Sequence, residues 1–221
     1  RIAQAKPQEA TELIQSFYNQ PIKEKLIAKR VREIKSKKGT AVVSCIPAHA
    51  EQFGRISVAN GADVFVVQST VTSTKHITSE YKSLDLERFC KHTKIPVVIG
   101  NCVTYETTLE LMETGAAGLL IGVGPGAACT TRGVLGIGVP QVTATVDAAA
   151  ARDYYYRRTG RYVPIITDGG MNRGGDICKA FASGADAVMI GSSFARAHEA
   201  PGRGYHWGMA TSHVNLPRGT R

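Results

Sequence analysis

The sequence predicts an α/β fold built on a parallel sheet, and three observations carry that reading. Six short apolar runs recur along the chain: 40–46, 63–68, 95–100, 118–123, 163–167 and 187–191. Each is apolar almost without interruption, as strands covered on both faces are, rather than alternating as half-exposed strands do. Longer amphipathic stretches separate them, at 51–60, 84–92, 104–114, 144–159 and 174–183. Several of these end in a Gly-Ala pair that opens the next run, at Gly61-Ala62, Gly115-Ala116 and Gly184-Ala185. Glycine accepts the positive φ at which helices stop, so the repeated unit reads as a βα ladder.

Strands and helices alternating in this way wind a parallel sheet or barrel. A closed (β/α)8 TIM barrel has eight strands and about 250 residues. With 221 residues, 43% of them hydrophobic, the chain can bury one substantial core but shows only about six βα units. The expectation is a single catalytic barrel domain over residues 1–221. It is incomplete, with N-terminal strands and a C-terminal segment missing and no regulatory insertion.

The formal net charge is +9, and much of the excess lies in 23–38, KEKLIAKRVREIKSKK. Ile22, Leu26, Val31 and Ile34 recur beneath those charges at helical spacing, so the stretch reads as a solvated helix face rather than a nucleic-acid or membrane patch. No apolar run approaches the roughly 18 residues of a membrane span. The five cysteines, Cys45, Cys90, Cys102, Cys129 and Cys178, show neither a CxxC nor a zinc spacing. Reduced thiols in a cytoplasmic protein are expected, with no nucleic-acid or membrane partner.

In parallel barrels the chemistry gathers where strands end, so the residues after each run matter most. After GLLIGV comes GVGPGAACTTRGVLGIG over 122–138, four of whose glycines and a proline surround Cys129. Thr130, Thr131 and Arg132 follow, and a nearby guanidinium is expected to favour the reactive thiolate. After VPIIT comes Asp168-Gly169-Gly170, a carboxylate suited to ribose hydroxyls beside amides suited to phosphate oxygens. After the last run, Gly191 and Ser192 repeat the pairing of amide and hydroxyl. Covalent attack by Cys129 on an electrophilic carbon of a bound nucleotide follows from this composite.

With these residues assembled, the sequence resembles the IMP dehydrogenase/GMP reductase family. GVGPGAACTTRGVLGIGVPQ is similar to its catalytic loop, and DGGMNRGGDICKAFASGADAVMIGSSFA to its nucleotide-phosphate segment; the likeness runs from about Gly61 to His213. EAPGRGYHWGM and LPRGTR resemble the IMP dehydrogenase-related branch of actinobacteria and cyanobacteria in particular. The resemblance implies that Cys129 bonds to purine C2 and that Thr131 assists proton transfer. It implies that Asp168 holds the ribose, that Gly169, Gly170, Gly191 and Ser192 hold the phosphate, and that Gly208 and Met209 flank the base. It places Asn101, Gln68 and Ser69 near the dinucleotide, and the carbonyls of Gly124, Gly126 and Cys129 around a potassium ion. The family is tetrameric, so a homotetramer or higher homo-oligomer is implied.

Some positions depart from the family's pattern. Ala127 stands where a phosphate-binding Ser is usual, and Gln68 where an Asp meets the dinucleotide. Ser212 stands where GMP reductases carry a glutamate, with His213 the nearest titratable group and His206 on the segment's other flank. The flap Arg-Tyr pair of dehydrogenases is not visible. With what is known of the related branch, these features point to a GMP reductase using NADPH, giving IMP and ammonia. IMP dehydrogenase with NAD is the alternative. A catalytically silent nucleotide-binding relative and an FMN-binding barrel are readings from other classes. His49, His76 and His92 read as surface or capping residues.

Overall fold

In a computed structural model, residues 4–75, 82–202, 204 and 206 are described. Six parallel strands form one sheet in the order β1-β2-β3-β4-β5-β6. They are β1 (Val42–Cys45), β2 (Val64–Gln68), β3 (Val97–Cys102), β4 (Gly118–Ile121), β5 (Ile165–Asp168) and β6 (Ala187–Met189). Each begins in one of the six apolar runs, and β3 and β5 continue past theirs to Cys102 and Asp168. Sequential neighbours joined by helices curl the sheet into part of a (β/α)8 barrel, as the sequence predicted. Two helices, α1 (Pro7–Tyr18) and α2 (Glu24–Ser36), precede β1. A 3-10 turn (Pro47–His49) leads into α3 (Ala50–Ala59), which joins β1 to β2, and α4 (Leu86–His92) joins β2 to β3. The connection from β3 to β4 is α5 (Tyr105–Glu113), and α6 (Thr131–Leu135) and α7 (Gln141–Thr159) lie between β4 and β5. Finally α8 (Gly174–Ala182) precedes β6 and α9 (Ser192–Ala195) follows it.

The central strands explain the unbroken apolar runs. Every residue of β3 and of β4 is buried, and Phe65, Val67, Ile99, Leu119, Ile121 and Ile165 are fully enclosed. Their helix-facing side packs against Phe53, Phe89, Leu111, Met112 and Ala148. Val66, Val98 and Leu120 form a smaller cluster of their own. The β3–β4 contact is close enough that a Cβ at Gly100 would meet Leu120 Cβ at 2.5 Å.

The basic stretch is helical, but its buried stripe differs from the expected one. Val31 is 2% exposed, packed with Ala41 and Ala62, and Ile27 leans on the main core. Ile22, Leu26 and Ile34 are 61%, 48% and 40% exposed. Two polar ties reach the residues after α3 and before β2: Arg32 Nη1 donates to Asn60 Oδ1 at 3.1 Å, and Lys35 Nζ contacts Asp63 at 2.7 Å. Ile27 and Val31, four residues apart, share the inward face of the helix.

Behind the sheet, Arg152 of α7 fastens β5 to β6. Its Nη1 donates to Asp186 Oδ2 at 2.9 Å and to the Gly184 carbonyl at 2.7 Å. The same Asp186 oxygen accepts the Ile165 N–H at 2.9 Å. No described helix is long and apolar enough to cross a membrane.

Candidate active site

The ends of β2, β3 and β5 converge on one carboxylate. Asn101 Nδ2 donates to Asp168 Oδ2 at 2.8 Å and also to the Gly122 carbonyl, again at 2.8 Å. Gln68 Nε2 donates to the same Asp168 oxygen and to Asn101 Oδ1, each at 3.0 Å. Burial pushes the Asp168 carboxyl above its ordinary value, and the Asn101 and Gln68 amides pull it partly back. The sequence assigned Asp168 to the ribose and Asn101 and Gln68 to the dinucleotide; the fold joins all three. The Ser69 hydroxyl turns back on its own loop, donating to the Val71 carbonyl at 2.7 Å.

The thiol loop begins where β4 stops. Gly122 and Gly124 have φ of 136° and 74°, which lets the chain fold back sharply. Cys129 N–H donates to the Gly126 carbonyl at 3.0 Å, and α6 starts at the buried Thr131. Half-buried Cys129 directs its thiol at Thr131 Oγ1, 3.2 Å away. The pair anticipated from CTT therefore faces itself across one hydrogen bond.

Arg132 does not take the part expected of it. Its Nε donates to the Val123 carbonyl at 3.2 Å and its Nη2 to the Val139 carbonyl at 2.6 Å. The side chain runs between Gly124 and Gly138, whose positions leave no room for a Cβ: one would meet Arg132 atoms at 2.7 and 2.6 Å. The guanidinium closes the loop at its base and has backbone carbonyls, not the thiol, as its partners. Those contacts also bear on the implied potassium site. The Gly126 carbonyl faces the Cys129 N–H, and Arg132 takes the carbonyls on either side of the loop. The Gly124 and Cys129 carbonyls take no part in these bonds, and the potassium assignment stands as the resemblance implies it. No metal-binding cluster of His, Cys, Asp or Glu is present among the described residues.

The Asp168 turn lies directly on the thiol loop. A Cβ at Gly169 would stand 3.3 Å from Gly126 N, and one at Gly170 3.1 Å from Pro125 Cβ. The Gly169 amide, expected on phosphate, instead continues the sheet by donating to the Met189 carbonyl at 3.1 Å. Exposed Gly170 remains at the surface of the turn. Gly191 precedes α9, and the buried Ser192 hydroxyl lies 3.2 Å from His206 Nε2. That contact draws His206 to the strand end, while Gly208, Met209 and His213 lie outside the described residues, as does His76. His92 Nδ1 meets the Arg88 carbonyl at the end of α4, a capping role as read from sequence.

Gln141, the first residue of α7, was not singled out from the sequence. Its Nε2 donates to the Ile121 carbonyl at 2.7 Å and approaches the Asp168 carbonyl at 3.4 Å, joining β4 to β5 where their register ends. Its Oε1 is buried without a described partner, beside a cavity of about 90 Å³ lined also by Thr145, Thr167 and Gly170. Its only sequence signal was a polar residue after Pro140 at a helix start. A second, apolar groove of about 410 Å³ runs along Val71, Val103, Val123, Ile137 and Val139, beside the thiol loop.

The class that the fold and site define is a parallel (β/α)8-type barrel with a thiol loop packed on a carboxylate-glycine turn at its strand ends. Comparison with known proteins narrows it. The IMP dehydrogenase / GMP reductase domain profile matches residues 15–213. An uncharacterized oxidoreductase of Mycobacterium tuberculosis is 40% identical over 98% of this chain and 58% of its own length. The inosine-5'-monophosphate dehydrogenase of Haemophilus influenzae is 42% identical over 64% of this chain and 27% of its own length. A crystal structure of an IMP dehydrogenase/GMP reductase-like protein from Corynebacterium glutamicum superposes with a TM-score of 0.87 at 36% identity, over 96% of this chain and 56% of that one. The chain belongs to the IMP dehydrogenase/GMP reductase family of oxidoreductases. It spans a little over half the length of the mycobacterial relative and of the structural neighbour.

Proposed function

We propose that the protein containing this chain acts on a purine nucleoside monophosphate at C2 through a covalent bond to Cys129. The observation that carries this is the Cys129–Thr131 pair, held on a loop that packs against the Asp168–Gly170 turn. Asp168 receives the ribose hydroxyls, with Gly170, Gly191 and Ser192 about the phosphate and Gly208 and Met209 assigned to the base by resemblance. Thr131 takes the thiol's hydrogen bond and orients the sulfur toward the ring. A nicotinamide dinucleotide, when bound, supplies the hydride acceptor or donor. The apolar groove along Val71, Val103, Val123, Ile137 and Val139 suits its flat ring and keeps water from it.

The one relative described above whose name states a reaction is an inosine-5'-monophosphate dehydrogenase, so IMP oxidation to XMP with NAD is the first reading to test. GMP reduction with NADPH, the expectation from the sequence, draws on the same covalent adduct. Assays of the intact protein separate the two. IMP with NAD should raise the near-ultraviolet absorbance of the reduced dinucleotide and form XMP. If GMP with NADPH instead lowers it and releases ammonia, the protein is a reductase. Turnover unchanged in Cys129→Ala would overturn both readings, and absence of any turnover would favour a silent nucleotide-binding relative. The tetramer implied by the resemblance is open to sedimentation, and the cytoplasmic assignment to fractionation.

A further inference from the structure

Gln68 ends β2 where the family's pattern has an acid facing the dinucleotide, yet its amide serves a different partner. Nε2 donates to Asp168 Oδ2 and Asn101 Oδ1, both at 3.0 Å, while Oε1 accepts from Ser44 Oγ at 3.3 Å. Both acceptors on the Nε2 side are oxygens, so only the amide nitrogen can face them. A carboxylate at this position could donate to neither and would stand against Asp168 as a second anion.

We propose that Gln68 is a positioning residue for the nucleotide's sugar rather than a cofactor contact. Together with Asn101 it fixes Asp168 Oδ2 and so aims the other oxygen, Oδ1, at the vicinal ribose hydroxyls. Among the described residues Oδ1 has no hydrogen bond, whereas Oδ2 accepts two. One oxygen is anchored and the other is available to a diol. Two amide donors also do for the carboxylate, in a half-buried site, what water would do outside it. The proposal rests on the nucleotide reading above and deepens it.

The test is calorimetric titration of IMP and GMP, without cofactor, into the intact protein and its Gln68→Glu and Gln68→Met variants. The corresponding 2′,3′-dideoxy nucleotide serves as control. Loss of a hydrogen bond to a charged group predicts a nucleotide Kd about tenfold weaker in both variants. The dideoxy nucleotide, lacking the diol, should bind all three proteins alike, and the KM for dinucleotide at saturating nucleotide should be unchanged. Equal weakening of the natural and dideoxy nucleotides would mean a merely structural role and overturn the proposal. An unchanged nucleotide Kd with a raised dinucleotide KM would restore Gln68 to the cofactor. If wild type binds neither IMP nor GMP, the nucleotide reading fails first and this inference falls with it.

Discussion

Asn101 and Asp168 meet across 2.8 Å at the mouth of the sheet, and the same Asn101 amide reaches the Gly122 carbonyl. One carboxamide thus couples the carboxylate proposed to hold the sugar to the first residue of the thiol loop. Burial already raises the Asp168 carboxyl, and the amides oppose the rise. Replacing Asn101 with Leu should therefore raise it further. Ribose hydroxyls donate to the ionised form, so nucleotide affinity is lost as pH falls through the folded-state pKa. The loss in Asn101→Leu should begin at higher pH than in wild type, as titrations of Kd against pH would report. Folding stability carries the opposite sign. The raised group binds its proton more tightly in the folded state, so its contribution diminishes as pH rises from the ordinary carboxylate value through the raised one.

Cys129→Ala should lower turnover by at least about 10³-fold while nucleotide binding stays within a fewfold. Thr131→Val, which removes the hydroxyl that receives the thiol, should cost about 10²-fold in kcat and leave the nucleotide's KM nearly unchanged. Steady-state kinetics of the two variants check both. A Thr131 effect confined to KM would contradict its assignment to the reacting sulfur.

The five thiols should separate cleanly under alkylation. Burial pushes Cys45 up to about 12, and Cys90 and Cys102 each to about 11. At mildly alkaline pH these three hold their protons in the folded protein and should resist iodoacetamide. Exposed Cys178 and half-buried Cys129 should react. In a Cys178→Ser background, peptide mapping should find one rapidly modified cysteine among these positions, Cys129, protected by bound nucleotide.

The Arg152–Asp186 clamp is a matter of stability, not chemistry. The Arg152 side chain is 10% exposed and lies 2.9 Å from its partner. Arg152→Met would leave Asp186 half-covered and without its cation, and the Gly184 carbonyl without its donor. The expected loss is about 2–3 kcal/mol, measured by denaturant unfolding, with the nucleotide Kd of the folded fraction unaltered.

The strands were legible because the sheet is covered on both faces, so Val97–Ile99 and Leu119–Ile121 read as apolar without a break. Cys129 stood out for a different reason: a CTTR set among glycines directly follows a strand end. The convergence of Gln68, Asn101 and Asp168 was not legible. They lie on three strands separated by long helical excursions, and only the register of β2, β3 and β5 brings their ends together. Arg132 shows the opposite failure. Sitting three residues beyond the thiol in sequence says nothing of where a long side chain points, and two nearby carbonyls with two compliant glycines decided it. The short α6 was concealed for the same reason, since a single turn of helix inside a glycine-rich loop leaves no periodicity to read.

The bracket that Arg132 forms with Val123 and Val139 has a mechanical consequence. A loop tied only at its ends can ripple residue by residue; one cross-tied near its base moves as a flap on two pins. Cys129 lies in the segment between those two pinned carbonyls, so both ends of its loop answer to one side chain. The guanidinium is the pin, and Gly124 and Gly138, lacking side chains, leave the slot it fills.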